Sequence, residues 1–131
     1  MSQPIKISTT QFIARKTAVI DGREYSVRKI GAGTQLDLSR EFASIEALRQ
    51  DSLNEMGKLE SETESDKKEA IQGKILALSG KLADTMKRVE GIYASLFDDG
   101  ANGEYSKQLI HEVGIDNVST LYSQIWGEGN A

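Results

Sequence analysis

The residues able to do chemistry are few. The chain of 131 residues holds one histidine, His111, and no cysteine. A single imidazole could pass a proton with Glu112 or another acid, yet no nucleophile or second base is tied to His111 by a catalytic signature. One histidine cannot make a His-pair metal site, and without thiolates there are no disulfides, thiolate metal sites or cysteine catalysis. Gly31-Ala32-Gly33-Thr34 stands where a phosphate loop would stand, between a strand and a helix. It lacks the later glycine of a dinucleotide fingerprint and the Gly-Lys-Ser/Thr of a P-loop, so it reads as a strand-to-helix turn. Gly73-Lys74 is followed by Ile75, which has no hydroxyl for magnesium. Asp98 to Gly103 imitates the start of a calcium loop, but Gly100 stands at the third position and Leu109 at the twelfth, where a bidentate Glu is required. The acids Glu60, Glu62, Glu64, Asp66 and Glu69 read as a solvated connector. The inventory predicts a non-enzymatic protein with no metal and no cofactor.

The elements that hold these residues divide the chain into three regions of one predicted domain, 1–131. In residues 1–33, two β-favouring runs, Phe12 to Ile20 and Arg23 to Ile30, flank Asp21-Gly22. This dipeptide suits a type I′ hairpin turn, whose two central residues both need positive φ. Tyr25, Val27 and Lys29 share one face of the second run, and Ile5 to Thr9 is expected to add a third strand. Residues 34–97 read as a long antiparallel helical hairpin. Thr34 is the expected N-cap of a first helix from about Gln35 to Leu59, with Leu38, Phe42, Ile45, Leu48, Met56 and Leu59 at helical spacing. After the connector Glu60 to Glu69, a second helix from Asp66 to Phe97 would be about 48 Å long at about 1.5 Å per residue. Its apolar residues Ile71, Ile75, Leu78, Leu82, Met86, Val89, Tyr93 and Leu96 step by fours and threes, close to a heptad seam. That seam is the candidate protein-binding or oligomer contact, with intramolecular core as the competing use. Gly73 and Gly80 fall near one face of this helix and mark either close helix approach or tolerated flexibility. Residues 98–131 hold a turn cluster, Asp98 to Gly103, then two short C-terminal helices: Glu104 to Val113, and one capped by Asp116 that runs to Trp126 and ends at Gly127. The fold class is mainly α with a small N-terminal β-hairpin.

Bulk properties narrow the partners. The formal net charge is −4 and the isoelectric point about 5.1, which argues against a nucleic-acid binder that needs a basic face. No apolar run reaches the roughly 20 residues that span a bilayer, and Met1-Ser2-Gln3-Pro4-Ile5-Lys6 has no apolar signal core. These features lead to the expectation of a cytoplasmic protein that works by binding other proteins.

Two stretches carry a family resemblance. The first is Ile20-Asp21-Gly22-Arg23-Glu24-Tyr25-Ser26-Val27-Arg28-Lys29-Ile30, leading into Gly33-Thr34-Gln35-Leu36. The second is Tyr93-Ala94-Ser95-Leu96-Phe97-Asp98-Asp99-Gly100, followed by Leu109 and by Leu121-Tyr122-Ser123-Gln124-Ile125-Trp126. Lying within residues 20–36 and 93–126, they resemble the opening hairpin and closing helices of the tail assembly chaperones of siphophages infecting Gram-positive bacteria. The heptad-like middle has no match in that pattern. The resemblance implies a non-enzymatic role in tail morphogenesis: binding the tape measure protein, keeping its long apolar helices in solution, and helping recruit the major tail tube protein. It also implies action in the host cell cytoplasm and absence from the mature virion. Self-association into a homo-oligomer would present many binding surfaces along one client. The competing expectation is a structural virion component or coiled-coil oligomerisation protein.

Overall fold

The computed structural model describes residues 3–9 and 12–127. Along the chain come β1 (Arg15–Ile20), β2 (Arg23–Arg28), α1 (Ala32–Ser61), α2 (Ser65–Leu96), β3 (Phe97–Asp98), α3 (Glu104–Val113) and α4 (Ile115–Trp126). The expected class, mainly helical with an N-terminal β-hairpin, is the one observed. The three sequence regions gather into two compact units. One joins Met1–Gly31 to Tyr93–Ala131, and the other is Ala32–Ile92.

In the first unit β1 and β2 pair antiparallel, with Ile20 opposite Arg23 across the two-residue turn. Asp21 and Gly22 both have positive φ, 50° and 79°, as a type I′ turn demands. Tyr25 and Val27 are buried and alternate with more exposed neighbours, the pattern of a strand with one face on a core. The third strand is not Ile5 to Thr9. Residues 3–8 form no strand, and the sheet order β1-β2-β3 is completed by Phe97–Asp98, paired with Ser26 and Val27. The second helix therefore stops at Leu96, one residue short of the expected end. The physical reason is the Phe97 side chain. It is fully buried and sits edge-on to Tyr25, with ring centroids 6.4 Å apart and planes at 81°. This gives it apolar burial that Ile5 and Ile7, both exposed, do not have. Leu96, Ile110 and Val118 complete the fully buried apolar set of this unit, flanked by Tyr93, Leu109 and Ile115.

The turn that imitates a calcium loop works in the opposite electrical sense. The Asp99 carboxylate accepts hydrogen bonds from four backbone N–H groups. Ala101 and Gly103 donate to Oδ1 at 2.8 and 3.1 Å, and Tyr105 and Ser106 to Oδ2 at 2.7 and 2.9 Å. Two of these are orphan donors of the first turn of α3. Burial pushes the Asp99 carboxyl up, but the four donors together outweigh it and bring the pKa down to about 2. The last helix begins at Ile115, so Asp116 lies within its first turn rather than capping it. The reason is Ile115 itself, which is buried in the core and enters the helix directly after Gly114 (φ 84°). Gly127, at φ 59°, ends α4 in the left-handed conformation with its N–H on the Ser123 carbonyl. The Tyr122 hydroxyl accepts the Ile30 N–H at 2.7 Å, tying the end of the hairpin segment to α4.

The second unit is the helical hairpin. α1 begins at Ala32, so Thr34 lies inside the first turn and is not the N-cap; alanine, the best helix former, extends the helix up to Gly31. The connector shrinks from ten residues to three, 62–64, as α1 runs on to Ser61 and α2 starts at Ser65. Lys58 meets Glu55 at 3.2 Å, and Lys67 meets Glu64 at 3.5 Å, each an i,i+3 pair. At the bend the Glu62 carboxylate accepts the N–H groups of Thr63 and Glu64 at 3.0 and 3.1 Å. The bond from Glu64 chiefly holds its carboxyl below the usual value, against burial and with help from Thr63.

Candidate functional site: the flanks of the helical hairpin

Burial along α2 identifies which residues face inward. Ile71, Ile75, Leu78 and Leu82 are half-buried, and Val89, Tyr93 and Leu96 are buried. The predicted seam is thus covered to increasing depth by the chain's own packing. At one step it takes a different residue. Thr85 is buried and Met86 only half-buried, so the spacing runs 71, 75, 78, 82, 85, 89 in strict fours and threes. Threonine tolerates this position because its hydroxyl donates to the Lys81 carbonyl at 2.9 Å and accepts from Arg88 Nη2 at 3.0 Å, so its own buried hydroxyl is paired. The facing row on α1 is Leu38, Glu41, Ile45, Leu48, Ser52, Glu55 and Leu59, all buried or half-buried. Glu41 reaches across to Arg88, Oε2 to Nε at 3.0 Å. This fixes the antiparallel alignment of the two rows.

With the rows fixed, helix geometry assigns the residues next to the seam to a side. Successive residues rotate by about 100°. In an antiparallel pair, the residue after a seam residue therefore falls on the same side of the hairpin whichever helix carries it. The residue before a seam residue falls on the opposite side. The two sides have different chemistry. The preceding positions line two open grooves. One, of about 370 Å³, runs along Asp51, Asn54, Lys58, Lys74 and Ala77. The other, of about 400 Å³, runs along Ser44, Ala47, Lys81, Asp84 and Arg88. No large apolar residue stands at these positions. The following positions are mixed: Phe42, Leu53, Met56, Leu76, Ala83 and Met86 alternate with Ser39, Glu46, Arg49, Glu60, Gln72, Ser79 and Glu90. Three of the apolar ones are strongly exposed: Leu53 at 61%, Met56 at 46% and Leu76 at 75%. The alignment that sets Glu41 opposite Arg88 also sets Leu53 level with Leu76. The hairpin thus has a grooved flank without large apolar residues and a mixed flank that carries the exposed Leu53, Met56 and Leu76, and that exposed trio is the candidate site.

Met56 belongs to that flank and not to the interior stripe where the sequence places it. Ser52 and Glu55 take the inward positions instead. Leu53 and Leu76 carry no signal as isolated residues; they emerge only once the strict seam is known. The glycines of α2 are not close-approach points. A methyl group added at Gly73 or Gly80 would meet no atom within 4 Å.

No protein-family model, curated protein or solved structure matches the chain. The site is therefore read on its own geometry. His111, on α3, is exposed. Among the described residues no cluster of three or more His, Asp or Glu side chains could hold a metal ion, and no helix is long and apolar enough to cross a membrane. A third concavity, about 270 Å³, lies between Ile20, Asp21, Arg23 and Tyr25 on one side and Tyr105, Gln108, Leu109 and Glu112 of α3 on the other. The Arg23 guanidinium fills its floor, stacked 3.3 Å from the Tyr105 ring centroid, where it acts as packing between strand and helix.

Proposed function

We propose that the protein is a non-enzymatic assembly chaperone whose helical hairpin holds an apolar helix of a client. The observation that carries this reading is the exposed apolar trio. Leu53 and Leu76 stand exposed and level with one another near the bend of the hairpin, with Met56 exposed one turn on, beside a seam that is already covered. A third amphipathic helix laid along this flank would bury them in the helix-in-groove manner, with anchors every three or four residues. Nothing in such holding needs a reactive side chain, and exposed apolar surface of modest extent suits reversible contact. The resemblance of the strand-turn-strand and closing-helix segments to tail assembly chaperones supports one choice of client: the tape measure protein of a long-tailed phage, held in the host cytoplasm while tail tube subunits are recruited.

The test is co-expression with the tape measure protein of the same phage. The chaperone reading expects that protein to stay soluble and co-purify. It expects Leu53→Lys/Leu76→Lys to lose the complex while keeping its own helicity and melting temperature, since isolated surface changes shift stability by no more than about 0.5 kcal/mol. A permanent structural subunit, the competing reading, would be found by mass spectrometry in purified particles; its presence there in stoichiometric amount overturns the proposal.

A further inference from the structure

The sheet has an unfilled position and the chain has a segment of the right pattern to fill it. β1 is an edge: among the described residues it pairs with β2 only. Which of its backbone groups face outward follows from the register. Ile20 and Arg23 close the two-residue turn and exchange hydrogen bonds, so Ala18 and Lys16 also point toward β2. The Lys29 N–H on the Ala14 carbonyl, at 2.8 Å, continues that parity. Arg15, Thr17 and Val19 therefore turn their N–H and C=O groups away from the sheet. All three are exposed, and Val19 leaves 70% of its surface in water. A six-residue open edge with an exposed valine is the feature that proteins ordinarily blunt or cover.

The N-terminal arm has the complementary features. Ile5 and Ile7 are two apart, the period of one strand face, and are exposed at 86% and 66%. Pro4, the chain's single proline, sits where a strand tolerates it, at the first position. From Pro4 to Thr9 the segment is as long as β1. In its own chain it belongs to no strand and leaves the β1 edge open.

We propose that the arm around Ile5 and Ile7 adds as a fourth strand to the β1 edge of a second copy of this chain, with its isoleucines on the face that carries Val19. The exchange satisfies the outward backbone groups of Arg15, Thr17 and Val19 and sets the two isoleucines in contact with Val19, on the sheet face opposite Tyr25 and Val27. Exchanged reciprocally it closes a twofold dimer, and exchanged head to tail it builds a ring or a filament. The inference stands apart from the client site, which lies on the other compact unit.

Sedimentation equilibrium of the full chain tests it. The expected mass is at least twice the 14.4 kDa of one copy, falling to one copy for Ile5→Asp/Ile7→Asp. Thr17→Pro should do the same, because it removes an outward N–H without touching the β1–β2 ladder. The absence of cysteine allows a second measurement. A mixture of the single variants Ile5→Cys and Val19→Cys should be joined by a short bis-maleimide, while Val19→Cys alone should not. A single-copy mass for the unaltered chain overturns the proposal. So does an oligomer indifferent to both substitutions, or cross-linking of Val19→Cys to itself at equal yield. If Thr17→Pro loses its far-UV signature, the arm variant, altered outside the sheet, still decides.

Discussion

Phe97 is the residue on which the sheet unit's stability can be tested most directly. It is fully buried, it forms β3 opposite Val27, and its ring meets Tyr25 edge-on at 6.4 Å. Truncation to alanine removes a buried phenyl, a change that costs about 3–5 kcal/mol through lost transfer energy and residual cavity. The aromatic pair adds about 0.5–1.5 kcal/mol beyond its area, so Phe97→Ala should destabilise by about 4–6 kcal/mol. For a chain of this length that corresponds to a melting-point drop of roughly 10–25 °C. Urea unfolding followed by circular dichroism, with the slope compared between variants, gives the free energy directly. Phe97→Leu keeps most of the volume and should cost no more than about 2–3 kcal/mol. A double-mutant cycle of Phe97→Leu with Tyr25→Leu should return a coupling of about 1 kcal/mol. A loss below about 1.5 kcal/mol for Phe97→Ala would refute the packing, because a phenyl that costs so little to remove is not in a close-packed interior.

Asp99 gives an acid-side signature. Its folded pKa of about 2 lies below the ordinary 3.8, so the unfolded chain binds more protons between those values. Its contribution is fully present above pH 3.8 and is lost as pH falls toward 2; Asp99→Ala should flatten that limb in a pH series of urea midpoints. The phenols of Tyr25 and Tyr93 are raised above the ordinary 10.0, in both cases chiefly by burial, with the Arg23 charge opposing at Tyr25. An ultraviolet titration of the native protein should therefore show these two ionising above pH 10, and the stability they carry should fall as pH rises through their folded values. Gly73→Ala/Gly80→Ala should stabilise by up to about 1 kcal/mol per site, since an added methyl meets open space; a destabilised double variant would show that α2 needs a bend there.

What the sequence made legible was whatever local chemistry determines. Asp21-Gly22 turns because aspartate and glycine accept positive φ, and Glu104 to Val113 is bounded by a turn cluster and Gly114, so both emerge where they were expected. The long helices follow from periodicity, with ends that shift by a few residues. The third strand was not legible, because Phe97 leaves its helix to meet Val27 and Tyr25, residues far away along the chain, and no local rule reports such a partner. The arm at Ile5 carries a strand pattern without a strand for the same reason: pairing needs an edge as well as a pattern. The candidate site was missed in an instructive way. A reading that ranks positions by apolarity prefers Met86 to Thr85 and draws Met56 inward. Strict four-three spacing instead puts Thr85, Ser52 and Glu55 in the seam, and so uncovers Leu53, Met56 and Leu76.

The break between the two compact units has a consequence for length. Residues 32–92 are an insertion whose two entry points, Gly31 and Tyr93, lie in the same remaining unit. Because its rows repeat every seven residues, the insertion can be shortened or extended by matched heptads, one from each helix, without disturbing the register of Glu41 with Arg88 or any strand. The length of the helical unit is therefore a quantity that selection or an engineer can tune in steps of about 10 Å.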